Sequence, residues 1–166
     1  SLFARQSLCL NSAMDRARAM VDEGASFLDI GGESTRPGAE PVSTQQELDR
    51  VIPLIEAIRA SLDVVVSVDT STAEVIVAAA NAGAGLINDV RALGRDGALQ
   101  AAAEAQLPVC LMHMQGDPKT MQDNPTYDSV VGDISLYFDK KVEQCGQAGI
   151  PLERLLIDPG FGFGKT

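Results

Sequence analysis

The chain has 166 residues, 45% hydrophobic and 22% charged, which suits a single folded domain with its own core. Its formal net charge of −10, with Lys and Arg scattered and not clustered, excludes a nucleic-acid partner, whose phosphates it would repel. No apolar run approaches the ~18–20 residues of a membrane span and no leader-like apolar core opens the chain, so a cytoplasmic protein with reduced Cys9, Cys110 and Cys145 is expected.

In chain order, the first predicted element is a helix over "NSAMDRARAMVDEG", stopped by Gly24. A short apolar strand, "SFLDI", follows. "STQQELDRVIPLIEAIRASL" is a second helix, with Thr44 as N-cap and Glu47 closing a capping box. "VVVSVD" is a β-branched run of the kind buried on both faces of a sheet. The alternation then repeats: helix "STAEVIVAAANAG" with a box from Ser71 and Glu74, strand "GLIND", helix "DGALQAAAEAQ", strand "PVCLMH", helix "YDSVVGDISLYFDKKVEQCGQAG", strand "RLLIDP". Between the last two, residues 114 to 126 ("MQGDPKTMQDNPT") form a long polar loop, a length associated with function.

Alternating strands and helices imply crossover connections and a parallel sheet. An open doubly wound sheet binds its ligand at one switch point, so one or two polar strand ends suffice; in a (β/α)8 barrel every strand end faces the same bowl. Here Asp29, Asp69 and Thr70, Asn88 and Asp89, His113, and Asp158 equip all five. The expected fold is therefore α/β, a (β/α)8 TIM barrel present in part: one domain over residues 1–166, about strands two to six, since eight strands need ~250 residues. The first residue is not Met, and chain is expected to be missing at both ends.

The closing stretch "DPGFGFGKT" ends like a phosphate-binding loop, but the first Gly of that motif falls on Pro159, which has no N–H to offer. A nucleotide loop is excluded, and Asp158 and the alternating glycines answer some other demand. Asp69, Asn88 and Asp158 are placed either to read a heterocycle with mixed donor and acceptor edges or to cap the helices that follow; with Ser71 read as the cap after Asp69, the convergence favours the ligand. The loop 31–43, "GGESTRPGAEPVS", is either an anion-binding loop through Thr35 and Arg36 or a plain connection. His113, the only histidine, reads as structural, with no metal-ligand spacing around it. One of Met112 and Met114 lines the bowl and the other the core. Of Phe161 and Phe163, at least one lies over a flat ligand, or both pack under the loop. No nucleophile elbow is present, so covalent catalysis is not expected.

"LDIGGESTRPGAEPVS", "VSVDTS", "GLINDVRAL", "PVCLMHMQGDPKTMQ" and "LLIDPGFGFGKT", in this order from about residue 12 to the end, resemble the dihydropteroate synthases. The resemblance implies a (β/α)8 barrel, homodimeric when complete, that joins a dihydropterin bearing a CH2-diphosphate to 4-aminobenzoate with loss of diphosphate, in folate synthesis, assisted by Mg2+. It implies that Asp69, Asn88 and Asp158 hydrogen-bond the pterin, with Asp69 and Asp158 also catalytic, and that Met112 packs beside the ring. Thr35 would touch the pterin diphosphate, and Ser34, Thr35, Arg36, Pro37 and Phe163 would border the aminobenzoate and sulfonamide site.

The family's first strand, with the Asn that helps hold Mg2+, and its seventh and eighth, with Lys, Arg and His for the diphosphate, have no counterpart here. No metal ligand is therefore expected within these residues, "SLFARQSLCL" reads as the remnant of a loop, and the 166 residues alone are expected to be inactive. Two alternatives stand beside this: a pterin-binding barrel of the methyltransferase type, which lacks the "STRPG" loop, and a non-catalytic remnant that binds a pterin.

Overall fold

The computed structural model describes residues 2–34, 40–114 and 129–163, with side chains from residue 9 onward. Helices α1 (Leu2–Asp22), α2 (Thr44–Ser61), α3 (Ala73–Ala82), α4 (Ala98–Ala105) and α5 (Val130–Gln147) alternate with strands β1 (Phe27–Gly31), β2 (Val65–Asp69), β3 (Leu86–Asp89), β4 (Val109–Met112) and β5 (Leu155–Asp158). The last strand is preceded by a 3-10 turn, Leu152–Arg154.

All neighbouring strands pair in parallel, and their order in the sheet is their order in the chain, β1-β2-β3-β4-β5. A doubly wound sheet reverses direction at a switch point and places helices on both faces. Here there is no reversal. Consecutive helices pack on one another, α1 on α2, α2 on α3 and α3 on α4. Phe138 and Cys145 of α5 join the same core as Leu28, Val66, Val68, Ile87, Val109 and Leu111 of the strands. All five helices therefore cover one face, and the other is left to line a hollow, as in a barrel wall whose sheet is not closed.

Strand periodicity sets which residues face the hollow. Leu28, Val66, Val68, Ile87, Val109 and Leu111 are buried under the helices, so Phe27, Asp29, Val65, Ser67, Asp69, Asn88, Cys110, Met112, Leu156 and Asp158 take the opposite face. This explains why Phe27 and Leu156 are exposed at 58% and 48% despite standing in strands.

Three local expectations are corrected. The "SLFARQSLCL" segment is not a loop remnant, because α1 runs from Leu2. The N-cap of α2 is Ser43, whose hydroxyl accepts from the Gln46 N–H while the Gln46 side chain accepts from the Ser43 N–H; Thr44 is already helical and the box sits one residue earlier than expected. At α3 the cap position is Thr72, with no side-chain cap bond, and Ser71 is turned away toward Asp89. The polar stretch 114–126 lies outside the described residues from 115 onward.

Candidate active site

The register assembles the polar strand ends. Asp69 of β2 is paired with Asn88 of β3, and Asn88 with Cys110 of β4; at the next level up, Met112 is paired with Asp158 of β5. With the side-chain alternation, Asp69, Asn88, Met112 and Asp158 share one face at the same end of the sheet. Met112 is buried, and Asn88 and Asp69 are half-buried. Asp158 is exposed; its Oδ1 accepts the Gly160 N–H at 2.8 Å, bending the chain immediately after the strand. Gly160 has φ +67°, and a Cβ there would collide with the His113 carbonyl and come within 3.1 Å of Met112 Cγ. The first glycine of "GFGFG" thus serves the close passage of this turn over the end of β4.

Asp69 is the most perturbed acid of the group, pushed up to about 7. Burial is the largest cause; the charges of Asp29, Asp89 and Glu47 add to it, and Arg91 opposes it. Among the described residues no side chain or backbone N–H donates to its carboxylate, so Asp69 neither caps α3 nor is neutralised by a direct ion pair. Its acceptor capacity faces the hollow. A buried, ligand-facing acid tuned close to neutrality is a recurring mark of a functional site.

Beneath the strand ends lies a polar network that sequence reasoning did not find. Glu47, on α2 and 2% exposed, accepts the hydroxyls of Thr70 (2.5 Å) and Thr72 (2.8 Å). Asp89, fully buried, accepts the Ser71 hydroxyl at 2.5 Å and the N–H groups of Arg91 (2.9 Å) and Leu93 (2.8 Å). Arg91 donates to Ser71 at 2.9 Å and pairs with Glu33 at 3.5 Å; Arg95 pairs with Glu33 at 3.2 Å. The segments after β1, β2 and β3 are therefore tied to one another. Asp29, expected as the polar end of its strand, gains a partner that the sequence did not reveal. It lies inside the apolar string "FLDI", yet alternation puts it on the hollow's face, where its Oδ2 accepts from Asn88 Nδ2 at 3.1 Å.

The remaining site candidates are distributed as follows. Ser34 is exposed at the end of the described part of its loop, while Thr35, Arg36 and Pro37 lie outside the described residues. Phe163 is half-buried, and its N–H closes the turn onto the Gly160 carbonyl at 3.0 Å; Phe161 is 87% exposed. His113 is buried on the helix side with its ring edge-on to Tyr137 at 4.8 Å, in keeping with a structural part. Cys110 is half-buried on the hollow's face, and burial, with the charges of Asp158 and Asp29, raises its thiol. A separate depression of about 510 Å3 beside Leu93, Leu99 and Lys141 lies on the outer, helix-covered side and holds none of these groups.

A family model described as "Pterin binding enzyme" matches residues 2–166. The chain belongs to the pterin binding enzyme family. It is 56% identical over 157 residues to the dihydropteroate synthase of Escherichia coli K12, covering 95% of this chain and 56% of that protein. It is 51% identical to the dihydropteroate synthase of Haemophilus influenzae, covering 97% of this chain and 58% of the relative. Among solved structures, the Yersinia pestis dihydropteroate synthase in a sulfonamide drug complex superposes with a TM-score of 0.93 at 57% identity, over 95% of this chain and 57% of that one. The Xanthomonas albilineans enzyme with 4-aminobenzoic acid gives 0.88 at 49% identity, over 95% and 55%. This family member thus spans little more than half the length of the relatives it matches, and its five-stranded wall is superposable on theirs.

Proposed function

We propose that the protein carrying this chain is a dihydropteroate synthase, joining (7,8-dihydropterin-6-yl)methyl diphosphate to 4-aminobenzoate with release of diphosphate. The observation that carries the reading is the register. It gathers two carboxylates, Asp69 and Asp158, and one carboxamide, Asn88, at one end of one sheet face. A pterin offers ring and amino N–H groups beside acceptor nitrogens and an oxygen, and acceptor-only carboxylates with a two-way amide match that mixture. The 56% identity to a dihydropteroate synthase supports the choice of reaction. On the same reading Ser34, Thr35, Arg36, Pro37 and Phe163 belong to the aminobenzoate side, and the protein is a cytoplasmic homodimer.

As diphosphate leaves, positive charge develops on the pterin and its methylene carbon, and the aniline nitrogen of 4-aminobenzoate attacks that carbon and then loses its proton. Fixed negative charge at Asp69 and Asp158 stabilises such a cation, and holding both partners in place lowers the barrier without a covalent nucleophile. Mg2+ would serve the diphosphate. Asp69, Asn88 and Asp158 would serve pterin recognition and charge stabilisation.

Asp158→Asn tests the reading, because it removes a charge-assisted acceptor from an exposed site where little of the core is at stake. Pterin binding, measured by calorimetry with the protein that carries this chain, should weaken about 10- to 100-fold with an unchanged melting temperature. Unchanged affinity would refute the role of Asp158, and absence of pterin binding by the parent protein would refute the reading itself.

A further inference from the structure

We propose that Asp29 is a positioning residue for pterin recognition, fixing which end of the Asn88 carboxamide meets the ligand. The proposal rests on the pterin-binding reading of the hollow. Asp29 stands on β1 and Asn88 on β3, with β2 between them, and their side chains meet at 3.1 Å, Asn88 Nδ2 donating to Asp29 Oδ2. A carboxylate can only accept. The Asn88 amide is therefore held with its NH2 toward β1, and its oxygen Oδ1 is left for the hollow. An amide is otherwise indifferent to a half-turn about its last bond, and a site lined by Asn88 alone could meet a ligand with either a donor or an acceptor. With Asp29 in place, the Asn88 oxygen joins Asp69 and Asp158 as a third acceptor in a fixed position, and the second Nδ2 hydrogen remains for an acceptor atom of the ring.

The same carboxylate acts a second time through space. Its charge is, after burial, the next largest reason that Asp69 is hard to ionise. Asp29 thus orients one reader of the ligand and tunes another, without being required to touch the ligand.

A double-mutant cycle separates this from a general loss of structure or charge. The probe is a 7,8-dihydropterin, titrated calorimetrically into the parent protein, Asp29→Ala, Asn88→Ala and the double variant, each checked by thermal melting. At a pH well above 7, where Asp69 is ionised with or without Asp29, Asp29→Ala should weaken binding about tenfold when Asn88 is present and less than about twofold when Asn88 has already been removed, because an effect exerted through Asn88 disappears with it. Additive losses would overturn the proposal. Asp29→Asn, which keeps a side-chain oxygen able to accept from Asn88 Nδ2 and preserves the volume, should stay within about threefold of the parent; a loss equal to that of Asp29→Ala would show that charge alone matters and would also overturn it. If Asp29→Ala does not fold, the Asn variant decides alone. Failure of the parent protein to bind the dihydropterin at all would count against the pterin reading, a result distinct from either of these.

Discussion

A carboxylate that is to meet the N–H groups of a ligand must sit where water does not compete, and the burial that excludes water also works against its charge. Asp69 shows this opposition directly, its carboxyl raised from 3.8 to about 7. Because the folded state holds the proton more tightly than the unfolded chain, the cost to stability is absent below 3.8, grows as the pH rises and is complete above about 7. Asp69→Asn should therefore raise stability near pH 8 by about 2–4 kcal/mol, read as a higher melting temperature, while the gain fades toward pH 4 and pterin binding is lost. A gain over the parent no larger at pH 8 than at pH 4 would show that the carboxyl is not held up. Binding should move the opposite way: if the pterin is held by ionised Asp69, affinity strengthens as the pH rises through about 7 and then levels off. A flat calorimetric profile from pH 6 to 8 would remove the carboxylate from recognition. Asp69, Asn88 and Asp158 were legible in the sequence because each closes an apolar run. Asp29 was legible too as a polar strand end, but its bond to Asn88 was not, because that contact depends on how β1 and β3 face each other across β2.

The connecting segments are held by carboxylates whose positions resemble ordinary helix signals. Ser43 and Thr44 can both cap a helix, and Gln46 and Glu47 can both close the box, so the local sequence allows two frames one residue apart. Tertiary demand decides between them: Glu47 is needed inside, where Thr70 and Thr72 donate to it, leaving Ser43 and Gln46 to cap. The same approach leaves no room above α2, since a Cβ on Gly32 would stand 2.8 Å from Glu47 Cγ and 3.0 Å from Val51 Cγ2. After β3, Asp89 plays the matching part. It gathers a hydroxyl and two backbone N–H groups and holds Ala92 and Leu93 at φ of 48° and 57°, a region costly for residues with a Cβ. Asp89→Ala should cost about 3–5 kcal/mol, because two buried donors and one half-buried donor are left without an acceptor. Chemical denaturation measures this, and a loss below about 1 kcal/mol would mean that the segment is held elsewhere.

At the scale of the molecule, the alternation of elements and the polar strand ends were enough to read a barrel wall, and all five strands stand where the apolar runs placed them. The hollow's floor is exposed and apolar. That follows from register, which sets Phe27 beside Val65 at the opposite end of the sheet from Asp69. Phe27, Val65 and Leu156 are exposed at 58%, 41% and 48%, and β1 and β5 are the edges of the described sheet, each with one row of backbone groups lacking a strand partner. Apolar surface on a face bounded by two open edges is a template for pairing with another copy. A polypeptide of these 166 residues should therefore self-associate, its apparent mass rising with concentration in light scattering. Phe27→Lys should shift that equilibrium toward the monomer, since a charge on the floor near an edge opposes stacking and pairing alike. A polypeptide that stays monomeric and melts in one cooperative step across the concentration range would mean that the sheet's open face and edges are covered by contacts other than those described.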